Sequence, residues 1–540
     1  MARTVRDAAL DVFRRRGLTT MFANPGSTEI PFLTGLPGDL RFVLGLHEVA
    51  VVGMASGYAI GRGGEPALVL LHTTAGLGTA VGALATARVN RAPLVVVVGQ
   101  QDRRHLSFEP FLAGRLRSLA GEYPVRVEEP AQAQDVPAAI ERAYHAAATL
   151  HGPALVIVPM DDWEAPADEE REPAAASGPL LRPTGSDSQA VDALAAFLAE
   201  ATTPAIVVGA GADDPETWAA LVELAERLVA PVYQEAFGAR AGFPQDHRLF
   251  AGVLPSARAR LRELLAPHDA LLVVGASVFR QTAYMAGRFT QPGTRIAVVG
   301  GDGEEVFRSP AELTVLAPPG PVTRALADRV PPRDTDPPDE VRRPPSPPPP
   351  APGEPLTASH VLAALAERLP RNAIVLEEAP VDRPDIHARL PAREPLGYLS
   401  AAHGGLGFAV PAAVGLRLAS ADRPVVAVVG DGSALYGVHA LWSAVHYGAG
   451  PLVVVLSNGG YVVMDRLAEK HSGTTGPFPW PSFGDVELAT IARGFASPAH
   501  RITTHDELVA QLDDVVPTLA HRDQPLLLDV VVAPTPTFAA

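Results

Sequence analysis

Short apolar runs alternate with helical stretches along most of this chain of 540 residues. Apolar runs bounded by Gly, Pro or polar residues are typical of buried strands, and the longer segments between them have the spacing of helices. Regular alternation of the two predicts parallel sheets with helices on both faces. The predicted strands are 20–23, 42–46, 67–71, 94–98, 154–158, 205–208, 270–274, 295–299, 425–429, 452–456 and 526–531.

Two polar, proline-containing segments divide this pattern into three units. Residues 164–183 are rich in Glu and Pro, which is typical of a linker. Residues 331–355 are so rich in Pro that neither a helix nor a central strand can form there, and we expect an extended, partly polyproline II linker. We therefore predict an α/β protein with three doubly wound parallel-sheet domains, at 1–165, 187–330 and 356–540.

The composition argues against several classes of function. A formal net charge of −16 disfavours nucleic acid or an anionic membrane surface as a partner. The chain has no Cys, which removes disulfides, thiolate catalysis and Cys-bound zinc. Its first 17 residues have the pattern of an amphipathic helix rather than of a signal peptide. No apolar run reaches the roughly 18 residues of a membrane span, so we expect a cytoplasmic protein without a membrane partner.

The clearest candidate site lies between residues 425 and 461. A Gly-Asp-Gly-Ser turn at 430–433 follows one predicted strand, and a Ser-Asn-Gly-Gly turn at 457–460 follows the next, with a helix predicted at 434–447. Open α/β sheets bind ligands at such carboxyl ends of strands. Asp431 and Asn458 offer the oxygen ligands that Mg²⁺ prefers. The glycines and the helix N-terminus after Ser433 would suit a diphosphate.

A turn Asp and a turn Asn at two strand ends are also common in α/β proteins that bind no metal. The 27 residues from Asp431 to Asn458, with one helix and one strand between them, favour the metal-and-diphosphate interpretation. A second Gly-Asp-Gly sequence, at 301–303, has Arg329 at the matching distance and no Asn-Gly strand end nearby. We interpret that second sequence as an ordinary turn.

Glu48 is the candidate acid of the first unit. It follows the predicted strand at 42–46 and begins a helix of small and branched residues. A glutamate in the first turn of a helix is also stabilised by the helix dipole without any catalytic role. From these residues alone, both interpretations of Glu48 stay open.

Seven motifs resemble those of the benzoylformate decarboxylases, in the same order and over nearly the whole chain. They are NPGSTEIPFL, LGLHEVAVVGMASGYA, LHTTAGLG, DDW, AAHGGLGFAVPAAVG, VVGDGS and NGGY. That family belongs to the pyruvate-decarboxylase-like enzymes, which depend on thiamine diphosphate (ThDP) and also include acetolactate synthases and 2-hydroxyacyl-CoA lyases. The resemblance implies a pyrimidine-binding, a middle and a diphosphate-binding domain, with ThDP and Mg²⁺ as cofactors.

The resemblance also implies roles for residues of the first unit. Glu48 resembles the glutamate that activates the cofactor through its aminopyrimidine ring. His72 lies where the family has a proton-transferring histidine, and Ser27 resembles the serine that positions the substrate carboxylate. Without the resemblance, His72 would be a solvated strand-end residue and Ser27 a turn or N-cap residue. The other cofactor-binding candidates of this turn are Asn24, Pro25 and Gly26.

In the third unit the resemblance implies that Asp431 and Asn458 bind the metal by their side chains and Gly460 by its carbonyl oxygen. Leu406 resembles the bulky residue that holds the cofactor in its V-shaped conformation, although it could equally be a core leucine before a helix. The remaining cofactor-binding candidates are Gly404, Gly430, Gly432, Ser433 and Tyr461.

Two departures from the family pattern bear on function. Thr282 stands where benzoylformate decarboxylases have a second active-site histidine, and a threonine cannot donate a proton near neutral pH. Pro380 and Val381 stand where the family has hydroxyl residues that contact the diphosphate, and neither side chain can donate a hydrogen bond. We expect these changes to affect substrate choice and cofactor affinity rather than the identity of the cofactor.

The resulting hypothesis is a ThDP-dependent decarboxylase of a 2-oxo acid, with an aromatic substrate such as benzoylformate as the first candidate. The runner-up is a carboligase or lyase like the acetolactate synthases or 2-hydroxyacyl-CoA lyases. A protein of this fold that binds without turnover is a third option. A nicotinamide or flavin oxidoreductase is a fourth, although the Ala-Gly turn at 210–211 lacks a full dinucleotide fingerprint. The resemblance further implies a homodimer or homotetramer with cofactor sites at subunit interfaces.

Overall fold

The computed structural model describes residues 3–536 apart from 169, 171–173, 179, 182–184, 335–342, 352 and 421. Three six-stranded sheets organise these residues, and every strand pair within them is parallel. Helices cover the sheets because the connection between two parallel strands must cross back over the sheet. The predicted α/β class with three parallel sheets is therefore confirmed. The exact domain boundaries stay a prediction.

The first sheet has the strand order β2-β1-β3-β4-β6-β5. Its strands are β1 (Thr20–Asn24), β2 (Arg41–Leu44), β3 (Ala67–His72), β4 (Leu94–Gln100), β5 (Arg126–Glu128) and β6 (Pro153–Pro159). Its helices are α1 (Val5–Arg15), α2 (Ile30–Leu33), α3 (Glu48–Gly61), α4 (Thr73–Val89) and α5 (Val136–Leu150).

The middle sheet has the order β12-β11-β10-β7-β8-β9. Its strands are β7 (Pro204–Val208), β8 (Val232–Gln234), β9 (Phe250–Val253), β10 (Ala270–Val274), β11 (Arg295–Gly300) and β12 (Leu313–Leu316). Its helices are α6 (Ser188–Ala199), α7 (Pro215–Leu228), α8 (Arg258–Leu264), α9 (Gly303–Arg308) and α10 (Pro319–Arg329).

The third sheet has the order β14-β13-β15-β16-β18-β17, which repeats the order of the first sheet. Its strands are β13 (Ile374–Glu378), β14 (Tyr398–Ser400), β15 (Val425–Gly430), β16 (Leu452–Ser457), β17 (Ala499–Ile502) and β18 (Leu526–Val531). Its helices are α11 (Ala358–Ala366), α12 (Arg383–Arg389), α13 (Ala409–Ala419), α14 (Asp431–Gly437), α15 (Ala440–Tyr447), α16 (Val462–Ser472), α17 (Leu488–Gly494) and α18 (His505–Val515). The chain reverses its winding direction between β13 and β15, which is where ligands bind in such sheets.

The stretch predicted as one helix at 434–447 is two helices. The first, α14, already begins at Asp431 and ends at Gly437, and α15 begins at Ala440. A Cβ at Gly437 would lie 2.8 Å from Cδ of Pro411 in α13. The break therefore falls directly after a glycine that packs against a neighbouring helix and has low helix propensity.

The two predicted linkers are only partly described. Residues 169, 171–173, 179 and 182–183 of the first and 335–342 and 352 of the second lie outside the described residues. Where the structure describes 331–355, the segment has neither helix nor strand. No helix in the described part of the chain is both long and apolar enough to cross a membrane.

Helices α3 and α13 join the first and third sheets. A Cβ at Gly57 of α3 would lie 2.1 Å from the carbonyl oxygen of Ala412, and one at Gly415 of α13 would lie 1.9 Å from that of Met54. One cluster of buried apolar side chains consequently runs through both sheets. The middle sheet has separate apolar clusters on its two faces.

Candidate active site

The turns after β15 and β16 meet at one edge of the third sheet. These strands are neighbours, with Gly430 paired to Leu456. Asp431 is the first residue of α14, and its carboxylate accepts hydrogen bonds from the backbone N–H groups of Gly432 and Gly459, both at 2.7 Å. The bond from Gly459 ties the second turn to the first. Burial raises the pKa of Asp431, so a cation beside it would favour its ionised form.

The residues of this crevice fit a diphosphate with Mg²⁺. The carboxylate of Asp431 and the amide of Asn458 are hard oxygen donors, and that ion needs only one or two from a protein when phosphate oxygens are present. A Cβ at Gly430 would meet nothing closer than Ser433 Oγ at 3.8 Å, which leaves room beside the backbone. At Gly432, in contrast, a Cβ would lie 2.8 Å from the Tyr461 ring, so a larger residue would displace that side chain.

Gly404 and Leu406 lie on a loop that Glu378 holds in place. Gly404 has φ +79 and Gly407 φ +90, conformations that favour glycine. The carboxylate of Glu378, at the end of β13, accepts hydrogen bonds from the backbone N–H groups of Gly407, Phe408 and Ala409 at 2.5–2.8 Å. Burial raises the pKa of Glu378 to about 7, against the effect of these bonds.

Glu48 and Asn24 come together at the edge of the first sheet. Glu48 is the first residue of α3, and its Oε1 accepts a hydrogen bond from Asn24 Nδ2 at 2.9 Å. Asn24 is the last residue of β1, so the two side chains come from one strand end and the adjacent helix start. His47 caps α3, because its Nδ1 accepts a hydrogen bond from the backbone N–H of Val49 at 3.2 Å.

His72 pairs with a glutamate that the sequence analysis did not identify. Its Nδ1 lies 2.9 Å from Oε2 of Glu29, a side chain that is only 1% exposed. The same oxygen accepts a hydrogen bond from the backbone N–H of Gly26 at 2.7 Å. A Cβ at Gly26 would lie 2.5 Å from the His72 ring, so only glycine allows this approach. Glu29 stands three residues after Gly26, the spacing of a capping glutamate, and that spacing was the available signal.

The remaining predicted residues have different surroundings. Ser27 is exposed and begins the short 3₁₀ helix Ser27–Glu29 beside Pro25. Asn458 Oδ1 accepts a hydrogen bond from the backbone N–H of Gly460 at 3.2 Å. Within the described residues of this single chain, no hydrogen bond or ion pair joins Glu48 to the Asp431 crevice.

The second Gly-Asp-Gly sequence has a structural role. Asp302 caps the N-terminus of α9, accepting a hydrogen bond from the backbone N–H of Glu304 at 3.0 Å. It also lies 3.7 Å from Nη1 of Arg88. This geometry agrees with the interpretation of that sequence as a turn.

The two departures from the family pattern, Thr282 and Pro380, line the same cavity as Gly404 and Leu406. The cavity has a volume of about 830 Å³ and lies between the middle and third sheets. Thr282 Oγ1 is 3.4 Å from Ser256 Oγ. Val381 is buried. The place of the expected second histidine therefore holds hydroxyl groups.

Comparison with known proteins covers the chain from end to end. Residues 3–119, 191–326 and 385–530 match the N-terminal TPP binding, central and C-terminal TPP binding domains of the thiamine pyrophosphate enzymes. Benzoylformate decarboxylase of Pseudomonas aeruginosa is 37% identical over 99% of both chains.

Two solved structures are similar over their full length. The thiamine diphosphate-dependent 4-hydroxybenzoylformate decarboxylase of Rhodococcus jostii RHA1 has a TM-score of 0.91 and 35% identity, covering 99% of both chains. Benzoylformate decarboxylase of Polynucleobacter necessarius has a TM-score of 0.91 and 30% identity, also over 99% of both chains. The sequence motifs, the three sheets and these similarities all point to the same family. The chain belongs to the benzoylformate decarboxylase-like family of thiamine-diphosphate-dependent 2-oxo acid decarboxylases.

Proposed function

We propose that this protein catalyses the ThDP- and Mg²⁺-dependent, non-oxidative decarboxylation of an aromatic 2-oxo acid to an aldehyde and CO₂. One observation carries the proposal: the hydrogen bond from the Gly459 backbone N–H to the Asp431 carboxylate ties the turn that contains Asn458 to the open glycine turn at Gly430. The likeness to decarboxylases of benzoylformate and 4-hydroxybenzoylformate supports the aromatic substrate.

Specific residues would hold the cofactor. Asp431 and Asn458 would bind Mg²⁺ through their side chains and Gly460 through its carbonyl, while Ser433 would donate to the diphosphate. Gly404 and Leu406 would contact the pyrimidine ring. Bound ThDP would supply the carbanion that attacks the keto carbon and would take up the electron pair left when CO₂ departs.

Residues of the first unit would transfer protons to and from the cofactor and the substrate. Asn24 occupies Oε1 of Glu48, which leaves Oε2 to hold a proton at the aminopyrimidine. In neutral His72, Nδ1–H would donate to Glu29, so the lone pair of Nε2 is free to accept and return a proton at the substrate. The exposed hydroxyl of Ser27 would donate to the substrate carboxylate and orient the bond that breaks.

The test is benzoylformate consumption with ThDP and Mg²⁺, followed by chromatography of the products. We expect benzaldehyde to form only when both cofactors are present. Failure to consume benzoylformate and other aryl 2-oxo acids, with ThDP bound, would overturn the proposed substrate while leaving the cofactor assignment. Failure to bind ThDP would overturn the proposal entirely.

Thr282 favours a second candidate function, carboligation. A hydroxyl cannot deliver a proton near neutral pH, so the carbon that loses CO₂ would stay reactive for longer. A second aldehyde could then compete with the proton for that carbon. The same assay with added acetaldehyde distinguishes the two functions, since a 2-hydroxy ketone would be the main product of a carboligase.

We also propose a homodimer or homotetramer in the cytoplasm, with each cofactor site shared between two subunits. Among the described residues of one chain, no hydrogen bond or ion pair joins Glu48 to the Asp431 crevice, which supports shared sites. Light scattering coupled to size-exclusion chromatography tests this assembly, and an active monomer would contradict it.

A further inference from the structure

The loop that carries Gly404 and Leu406 begins at the end of an edge strand. β14 lies at one edge of the third sheet and ends at Ser400. Backbone groups at a sheet edge have no further strand beside them and need other partners. The backbone N–H of Ser400 finds one in the middle unit, where it donates to the carbonyl oxygen of Ala239 at 2.9 Å. The carbonyl oxygen of Ser400 accepts from the first unit.

Asn90 of the first unit binds this segment through both ends of its side-chain amide. Its Nδ2 donates to the carbonyl oxygen of Ser400 at 2.9 Å, and its Oδ1 accepts from the backbone N–H of Ala402 at 2.9 Å. A carbonyl can only accept and a backbone N–H can only donate, so these partners fix the orientation of the amide. Arg280 of the middle unit adds a longer bond, 3.2 Å, to the carbonyl oxygen of Ala402. Asn90 is fully buried, so its loss would cost two backbone groups a buried hydrogen bond.

The same helix contacts the loop a second time. Asn90 follows α4 directly, and Thr86 stands four residues earlier, on the same face of the helix. Thr86 is buried, and a Cβ at Gly405 would lie 3.0 Å from its Oγ1. The end of α4 therefore packs against the start of the loop and against the glycine directly before Leu406.

Buried side chains hold both ends of the loop. Asn90 binds the segment 400–402, and Glu378 accepts hydrogen bonds from the backbone N–H groups of 407–409. The four residues between these segments include Leu406, and so short a span leaves its backbone little freedom while both ends are held. The position of Leu406 therefore depends on Asn90 as well as on Glu378.

We propose that Asn90 is a positioning residue for the cofactor loop, residues 400–409. It lies in the first unit and acts on the backbone of the third, so that Leu406 stays where it would contact ThDP. The inference rests on the proposed function, since it takes Leu406 as a residue that contacts the cofactor. The first unit then has a second task, the support of the cofactor loop in its own chain, besides supplying Glu48 and His72.

Calorimetry of ThDP binding in the presence of Mg²⁺ tests this role in two variants. Asn90→Leu has a similar volume and loses both hydrogen bonds, so we expect its Kd for ThDP to rise about tenfold or more. Asn90→Asp keeps the acceptor for Ala402. Its carboxylate would repel the Ser400 carbonyl, but a protonated carboxyl can donate to it, so the ratio of its Kd to that of wild type should fall towards one as pH falls.

Ser420→Ala is the matched control. Ser420 Oγ donates to the carbonyl oxygen of Gly61 at 3.3 Å, so it also joins the third unit to the first, but at the opposite end of α13 from the cofactor loop. Thermal melts measure the stability of each variant, and the stoichiometry in calorimetry separates unfolded protein from weaker binding. The Kd of Ser420→Ala should equal that of wild type even where its Tm falls.

The possible outcomes separate this inference from the proposed function. A wild-type Kd in Asn90→Leu, even with a lower Tm, would overturn the positioning role and leave the proposed function standing. If Asn90→Leu gives no cooperative melt, Asn90→Asp decides, because a Kd ratio that does not change with pH would overturn the role as well. Failure of the wild-type protein to bind ThDP would overturn the proposed function and this inference with it.

Discussion

Replacement of Gly57 by alanine tests whether backbone contact between α3 and α13 holds the first and third sheets together. The new Cβ would lie 2.1 Å from the carbonyl oxygen of Ala412 and 2.8 Å from its carbonyl carbon. Ordinary contacts between such atoms need about 3.5 Å, so the helices would have to separate by roughly 1.4 Å. Both atoms belong to backbone, which has no rotamer to absorb the strain.

The magnitude follows from two opposing effects. Alanine gains about 1 kcal/mol over glycine in a helix interior. Overpacking of a well-packed interface costs about 1–3 kcal/mol, and here no side chain can move aside. At the upper end of that range, about 3 kcal/mol, the net loss is about 2 kcal/mol, which corresponds to a fall in Tm of about 4–8 °C for a domain of this size. Because α3 begins at Glu48, turnover should fall as well.

Differential scanning fluorimetry of matched variants measures this effect. Gly415→Ala should behave like Gly57→Ala, since its Cβ would lie 1.9 Å from the carbonyl oxygen of Met54. Gly82→Ala in α4 is the control, because a Cβ there would meet nothing within 4 Å. Its Tm should fall much less. Equal melting temperatures for Gly57→Ala and wild type would refute the reasoning.

Three further predictions concern single side chains. Glu48→Gln should nearly abolish turnover while ThDP binding and Tm stay close to wild type, and normal activity would remove Glu48 as the activating acid. Asp431→Ala should lose Mg²⁺-dependent ThDP binding in calorimetry, and unchanged binding would count against the metal site. Burial raises the pKa of Glu235 to about 7, so its stabilising contribution is complete at low pH and is lost as pH rises through 7. Relative to wild type, Glu235→Gln should therefore gain up to about 3 kcal/mol of unfolding free energy between pH 5 and 8, and parallel pH profiles would exclude this.

The central strands of each sheet could be predicted from the sequence because their apolar runs are long and bounded by glycine or polar residues. Several other strands could not. β5 and β8 have three residues each, and β13 ends in two glutamates that interrupt its apolar run. Such strands form because a neighbouring strand offers its backbone groups, which is information that lies elsewhere in the chain.

The same limit applies to the candidate site. The positions of Asp431 and Asn458 could be predicted because each follows its own strand directly and the two strands are neighbours. Glu378 and Glu29 were missed as partners, since a glutamate at a strand end or in a turn is usually solvated. The role of Glu378 is visible only in the structure, where its carboxylate accepts hydrogen bonds from three backbone N–H groups about 30 residues away in the chain.

The glutamates of the candidate site differ in how many hydrogen bonds their carboxylates accept. Glu378 accepts hydrogen bonds from the loop that carries Leu406, and Glu29 lies within hydrogen-bond distance of His72, so each supports a candidate site residue. Glu48 differs from both, because Asn24 supplies its one hydrogen bond among the described residues and leaves the second carboxylate oxygen available. Both oxygens of Glu378 and both oxygens of Glu29 already have hydrogen-bond partners. This difference in bonding, rather than position in the sequence, supports the proposal that Glu48 is the acid that acts on the cofactor.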